Sequence, residues 1–414
     1  MAKVLLITLV YGPDMVSTAN MMTDIAQGLH TSGHDVTVLT SIPHYNPSEQ
    51  VRSNKKFRAS WRRLFTESLE QGVLVLRTFM PMKRHKIWAR ALDYLIFQVL
   101  TTGLAMFHVE RPDVVLVTSP PITLGLSGIL ISKLRGGAFV YDVRELWPDV
   151  PVRMGMFRNP LLVKLVYLLE TFVYQHAAAI STIARTFQDT LAKRGVPKRK
   201  LYLTPNFVDL DFIRPSNKDN EFSREHGLNR AFVILYAGNV GLTQGLEILI
   251  AVAEDLEDDQ NIQFLVVGDG AGRTSLEEMI SKSHLRNVRL LPFQPSDRVN
   301  EMYAASDVCI APMLRGFSYD TVPSKIYTAM AAGRPVVGSA EPDTETAGLL
   351  RESNSGTCVL PESPAALCAS ICELRDDPER AARLGANGRQ WVVDNYSRES
   401  VIAAYDKMVR DVMI

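Results

Sequence analysis

Residues 232–253, FVILYAGNVGLTQGLEILIAVA, decide the fold class. Phe232–Ala237 is a strand with no polar face, the cluster Gly238-Asn239-Val240-Gly241 turns the chain, and Gly245–Ala253 has the look of a helix. A strand that is apolar on both faces belongs to a sheet covered on both sides, the habit of parallel sheets with crossover helices. The same unit recurs in both directions. Downstream, strands are predicted at Ile262–Val267, Val288–Leu291, Val308–Ala311, Val336–Gly338 and Thr357–Leu360. Upstream, they are predicted at Val4–Leu9, Val36–Thr40, Val73–Arg77, Val114–Thr118, Phe139–Asp142, Ala178–Thr182 and Leu201–Thr204.

A chain of 414 residues exceeds one ordinary core and suits two domains. The proline-bracketed link from Thr204 to Pro215, followed by the polar stretch Ser216–Asn229, separates them. The expected organisation is an N-terminal doubly wound domain over 1–205, a second over 206–397, and a terminal helix, 398–414, that returns to brace the first. Ligands of such folds bind outside the carboxyl ends of the strands, so the cleft between two facing domains is the expected active site.

Composition narrows the class. The chain is 46% apolar and 22% charged with zero formal net charge, so neither disorder nor a global attraction to nucleic acid is expected. Cys309, Cys358, Cys368 and Cys372 form no C-x-x-C pair, and they read as ordinary thiols of a reducing cytosol. The opening MAKVLLITLVYG is too short in its apolar run for a signal peptide and reads as a first buried strand. Tyr94–Phe107 is too short to span a bilayer, and Pro120-Pro121 interrupts Val114–Ser132. A soluble or peripheral protein is expected.

Three elements could receive a phosphorylated ligand, the first two of them strand ends marked by glycine. Gly238 and Gly241 follow one strand, and Gly268, Gly270 and Gly272 follow the next; such turns either bring backbone amides to an anion or merely connect strand to helix. Neither is a full G-x-G-x-x-G, which disfavours a dinucleotide dehydrogenase. In the third, Pro323-Ser324 starts a helix and Gly333 stops it. Lys325 then falls in the first helical turn, where a cation is unfavourable unless an anion joins it; a plain surface lysine is the alternative. Asp142, Arg144, Glu145 and Asp149 cluster at a strand end around Trp147-Pro148, either to orient a substrate hydroxyl or to brace a loop with salt bridges.

These tracts resemble glycosyltransferase family 4, of GT-B architecture. The likeness is carried by YAGNVGLTQGLE at 236–247, VVGDG at 266–270, AASDVCIAP at 304–312 and AMAAGRPVV at 329–337. In the first half it is carried by GHDVTVLT at 33–40, RPDVVLVTSPP at 111–121 and DVRELWPD at 142–149, the last similar to bacterial O-antigen and capsule enzymes of the N-acetylfucosamine type. The resemblance implies an α/β fold of two Rossmann-like domains and a retaining transfer. The donor would be a nucleotide-diphosphate sugar, with UDP favoured, and no metal or other cofactor would be required. Family members commonly carry two glutamates where Asp320 and Thr328 stand, and an Arg and a Lys where Asn239 and Gln244 stand. Ser17 and Thr18 replace the usual glycine pair in the loop after the first strand, and Arg144 stands where many members have histidine. On this reading Asp320, Arg144, Asp142 and Glu145 are the catalytic candidates. The donor set is Gly238, Asn239, Gln244, Gly268, Asp269, Gly270, Phe293, Pro323, Ser324, Lys325 and Thr328, and Ser17 and Thr18 contact phosphate or acceptor. A nucleotide-sugar epimerase of the same architecture, or a sugar-nucleotide binder that has lost catalysis, are the competing classes.

Residues 51–90 hold eleven basic residues against Glu67 and Glu70, a net +9 in a neutral protein, with aromatic residues interleaved. Lys55, Lys56, Arg58, Trp61, Arg62, Arg63, Lys83, Arg84, Lys86 and Trp88 are the candidates for contact with anionic lipid headgroups. No nucleic-acid motif accompanies them. An anionic membrane surface suits a polyprenyl-diphosphate-linked saccharide acceptor, which puts the protein in the cytoplasm, peripheral on the inner face of the bacterial membrane.

Overall fold

The computed structural model describes residues 1–14, 16–44, 51, 54, 57, 64–80, 87–156 and 159–413, with the backbone alone for 87–91. Lys55, Lys56, Arg58, Trp61, Arg62, Arg63, Lys83, Arg84, Lys86 and the side chain of Trp88 therefore lie outside the described residues. The chain divides into two compact units, Met1–Pro205 with Glu399–Ile414, and Asn206–Arg398.

Unit 1 runs β1 (Lys3–Ile7), α1 (Ser17–Thr31), β2 (Asp35–Ser41), β3 (Phe65–Glu70), β4 (Val73–Thr78), α2 (Ile87–Phe107) and β5 (Val114–Ser119). It continues through α3 (Leu124–Arg135), β6 (Ala138–Val143), α4 (Asp149–Arg153), α5 (Pro160–His176), β7 (Ala179–Thr182), α6 (Arg185–Lys193) and β8 (Leu201–Leu203). Its eight strands lie in the order β3-β4-β2-β1-β5-β6-β7-β8. Val4 is paired with Val36 on one side and Val114 on the other, so the most apolar strands occupy the middle.

One edge departs from the parallel expectation. β3 is antiparallel to β4, and Gln71 and Gly72, both at positive φ (48° and 84°), make the two-residue turn that joins them. Such a turn matches the twist of a hairpin. The sequence FTESLE hides this strand because only Thr66 is buried, as befits an edge. Arg77 on β4 also departs from its place in the basic tally. It is 1% exposed, bonds Glu70 through both terminal nitrogens at 3.0 Å, and reaches the Gly12 carbonyl at 2.7 Å.

Unit 2 runs α7 (Glu221–Glu225), β9 (Phe232–Ala237), α8 (Glu247–Asp255), β10 (Ile262–Val267), α9 (Arg273–Lys282), β11 (Val288–Leu291) and α10 (Val299–Ala304). Then follow β12 (Val308–Pro312), α11 (Lys325–Ala331), β13 (Val336–Ser339), α12 (Glu345–Ser353), β14 (Gly356–Val359), α13 (Pro364–Asp376) and α14 (Pro378–Asn395). The six strands are all parallel, in the order β11-β10-β9-β12-β13-β14. Ile234, Phe264, Ile310 and Val337 anchor a core completed by Leu249 and Val252 of α8 and Leu367 and Ile371 of α13. Strand order reverses between β1 and β5 in unit 1 and between β9 and β12 in unit 2. Each reversal opens a crevice beyond the carboxyl ends.

The last helix, α15 (Arg398–Asp411), packs on unit 1 through Val401, Tyr405, Met408 and Val409. Gly28 of α1 makes room for it: a Cβ there would come within 2.4 Å of Ile402. His34 meets Asp406 at 2.6 Å, and the Tyr202 hydroxyl donates to Asp411 at 3.2 Å.

Candidate active site

The crevice of unit 2 is built from backbone first. β9 and β10 end in Gly238 and Gly268, at φ +143° and +149°. A Cβ on Gly268 would stand 1.8 Å from the Gly238 carbonyl oxygen, and one on Gly270 would stand 2.4 Å from that of Val240. The two turns therefore pack main chain on main chain, sealed by Val240 N–H donating to the Asp269 carbonyl at 2.9 Å. These glycines have a structural duty whatever they bind. Arg273 closes the back of the turn, donating to the carbonyls of Gly268 at 2.6 Å and Leu291 at 3.1 Å.

Lys325 opens α11, whose first turn joins Ile326 N–H to the Pro323 carbonyl and Tyr327 N–H to that of Ser324. Its ammonium donates to Gln244 Oε1 at 2.6 Å and stands 3.8 Å from the centroid of the Tyr236 ring. The Tyr236 hydroxyl in turn donates to Gln244 Oε1 at 3.2 Å and to the Asn239 carbonyl at 2.6 Å. A Cβ on Gly238 would touch Lys325 Cε at 3.4 Å, so the lysine lies along the glycine turn at the strand-order reversal. Burial holds its pKa well below the usual lysine range, and among the described residues it makes no ion pair. An ammonium has three N–H donors, and the amide uses one.

The segment between β12 and α11 is tied down at several points. Leu314 N–H donates to the Thr243 carbonyl at 3.0 Å, Glu341 accepts from Gly316 N–H and the Ser318 hydroxyl, and the Tyr319 hydroxyl donates to Asp343 at 2.9 Å. Asp320 lies in this segment, only 2% exposed. Thr328 is part-buried on α11. Asp269 is exposed and caps the Gly270 N–H at 2.8 Å, and Phe293 follows β11, part-buried.

In unit 1 the predicted cluster separates into two braces and one carboxyl. Asp142 is fully buried and accepts from Ser181 Oγ at 2.6 Å, the Tyr405 hydroxyl at 3.0 Å and Arg144 at 3.4 Å. Arg144 also donates to the Tyr405 hydroxyl at 3.3 Å, so α15 completes this network. Asp149 is gripped by Arg194 at 2.8 and 2.9 Å, and Arg194 also holds Glu170. Glu145 remains part-buried, and burial raises its pKa while the Arg144 charge tempers the shift. Ser17 and Thr18 belong to the first turn of α1 and not to the loop before it.

A second cluster at the carboxyl ends of β1 and β2 escaped the sequence reading. Asp14 accepts from His44 N–H at 3.0 Å, and the His44 ring nitrogen Nδ1 is 2.8 Å from Ser41 Oγ. All three side chains are buried. A histidine four residues beyond a predicted strand end was the available signal.

A family profile described as "Glycosyl transferases group 1" matches residues 218–391, and one described as "Glycosyl transferase 4-like domain" matches residues 18–206. The chain is a glycosyltransferase that carries a group 1 domain and a 4-like domain. This glycosyltransferase is 26% identical to the "Putative colanic acid biosynthesis glycosyl transferase WcaI" of Escherichia coli (strain K12), across 99% of its own length and 100% of the relative. Its fold is matched by sucrose-phosphate synthase from Thermosynechococcus elongatus, with a TM-score of 0.77 and 17% identity over 99% of each chain. The Anabaena protein HepE in complex with UDP is also similar, with a TM-score of 0.73 and 14% identity over 99% of this chain and 100% of that one. The glycosyltransferase accordingly has the GT-B fold, with two parallel-sheet α/β units.

Proposed function

We propose that this glycosyltransferase moves a sugar, an N-acetylated hexose or deoxyhexose, from its UDP conjugate to a lipid-linked saccharide during assembly of a surface polysaccharide. Configuration at the anomeric carbon is retained. The observation that carries this reading is Lys325, an ammonium clasped by Gln244 and the Tyr236 ring where the strand order of unit 2 reverses. Among the described residues it meets no anion, and a diphosphate supplies one. The polysaccharide setting draws on the name of the WcaI relative, and the uridine donor draws on HepE, solved with UDP.

In the proposed reaction the bond between C1 of the sugar and the diphosphate oxygen breaks. The acceptor hydroxyl oxygen bonds to C1 on the same face, and its proton passes to the departing diphosphate. Negative charge grows on the leaving group, so a preorganised cation acts mainly in the transition state. Lys325 supplies that cation. Backbone around Gly238 and Gly270, with Ser324, adds donors, while Asn239, Asp269, Phe293 and Thr328 border the nucleotide and sugar. Asp320 and Glu145 are the carboxyls nearest in role to the reacting sugar and acceptor hydroxyl, and Asp142 and Arg144 hold that strand end in place. Ser17 and Thr18 meet the acceptor side. No resident metal takes part. The acceptor is polyprenyl-diphosphate-linked, so the enzyme works as a peripheral protein at the inner face of the cytoplasmic membrane.

The test is a panel of nucleotides and nucleotide sugars scored by melting temperature, followed by transfer of labelled sugar to a lipid extract. UDP and one UDP-sugar are expected to raise the melting temperature through mass action. A panel without any shift, or a donor consumed with no labelled lipid product, overturns the proposal.

A further inference from the structure

One face of unit 1 is apolar where a water-facing surface is normally mixed. Helices α2, α3 and α5 lie side by side, with α3 in contact with both neighbours. Gln98 of α2 donates to the Thr123 carbonyl at 2.9 Å, and Thr102 donates to Ser127 at 2.9 Å. Gly125 of α3 stands so close to α5 that a Cβ would come within 2.6 Å of Val173. The sides turned away from these contacts carry long apolar side chains at helical spacing. Leu95 and Val99 are 54% and 62% exposed, Leu130 and Leu134 are 46% and 62%, and Leu165 and Leu168 are 54% and 56%. Such stripes on three neighbouring helices give the unit an exposed apolar face, and exposed apolar faces mark interaction surfaces.

Charge identifies the partner. The only carboxylates in the three helices, Asp93 and Glu170, are each 2% exposed. The exposed charged side chains on α3 and α5 include the cations Lys133 and Lys164. In sequence, α2 directly follows Lys83, Arg84, His85 and Lys86. An apolar face stripped of exposed acids and edged with lysine is complementary to an anionic phospholipid surface, where leucines enter the acyl boundary and cations meet headgroups. No helix among the described residues is long and apolar enough to cross a membrane, so the face would lie on the bilayer.

We infer that the outer face of α2, α3 and α5 is the membrane-docking surface of this enzyme. The inference rests on the peripheral location proposed above and names the side chains that achieve it. The test uses the whole protein and flotation with phosphatidylcholine vesicles, with and without phosphatidylglycerol. Val99→Gln, Leu130→Gln and Leu165→Gln are combined in one variant; all three positions are exposed and stand outside the binding machinery. Wild type is expected to float with the anionic vesicles, and the variant's partitioning is expected to fall about tenfold or more, with melting temperature and UDP binding unchanged. If wild type floats and the variant floats equally well, this face is not the docking surface, while the membrane location itself survives. If wild type floats with neither vesicle, that location fails too. A wild-type dimer that the three substitutions dissociate, without vesicle binding, would reassign the face to a second copy of the chain.

Discussion

Lys325 in unit 2 and Arg144 in unit 1 are both candidate site cations, the first opening α11 beside the Gly238 turn and the second directly following β6. Their surroundings differ. Arg144 is 7% exposed and already answered by the Asp142 carboxylate and the Tyr405 hydroxyl, which also raise its pKa against the lowering effect of burial. Lys325 has a neutral amide and an aromatic face in place of a carboxylate, and burial lowers its pKa. A paired cation is committed to the structure, because removing its partner leaves a charge stranded, whereas one held without a counter-charge can still take up a ligand's anion.

The contrast can be broken most sharply on the paired side. Asp142→Ala leaves Arg144 buried without its carboxylate and is expected to destabilise unit 1 by about 3–5 kcal/mol in denaturant titration. Adding Arg144→Leu should recover much of that loss. A single variant of unchanged stability would show that the brace carries no weight. On the unpaired side, Lys325→Ala is expected to lower kcat/KM by about 100- to 1000-fold in steady-state kinetics, without lowering the melting temperature. Normal turnover in that variant would remove the lysine from the chemistry. Gln244→Ala, which frees the ammonium from its clasp, should weaken UDP binding by about tenfold in calorimetry.

Acidity sharpens the comparison further. The free-state pKa of Lys325 is depressed, and a bound diphosphate would raise it. Protons are then taken up on binding, and UDP affinity should fall as pH rises from the free-state value to the bound one. The slope is at most about tenfold per pH unit for one proton. Calorimetry in buffers of different ionisation enthalpy measures the uptake directly, and zero uptake across the range refutes the lysine–phosphate contact. The smallest expected effect is that of a chelator: EDTA should leave turnover unchanged, and a loss restored by a divalent ion would overturn metal-free transfer.

How much of this was legible beforehand follows from the kind of signal each part emits. β9, β10 and β11 match their predicted bounds because apolar runs covered on both faces announce themselves locally. β3 was missed because an edge strand buries little, and its pairing is set by the Gln71-Gly72 turn. Lys325 could be singled out from its helical position alone. Its clasp by Gln244, 81 residues upstream, leaves no mark in the local pattern, and neither does the contact of Asp14 with His44, 30 residues on. The tight seating of Gly268 on Gly238 is likewise invisible in the spacing of glycines.

The return of α15 to unit 1 has a consequence for biogenesis. During synthesis the ribosome delivers Asp142 and Arg144 long before Tyr405, with the whole of unit 2 emerging in between. The first unit therefore spends translation with a buried carboxylate and guanidinium lacking their phenol and a hydrophobic groove open, while the second can already close its core. The order of completion inverts the order of emergence, and unit 1 acquires its final stability only when α15 arrives.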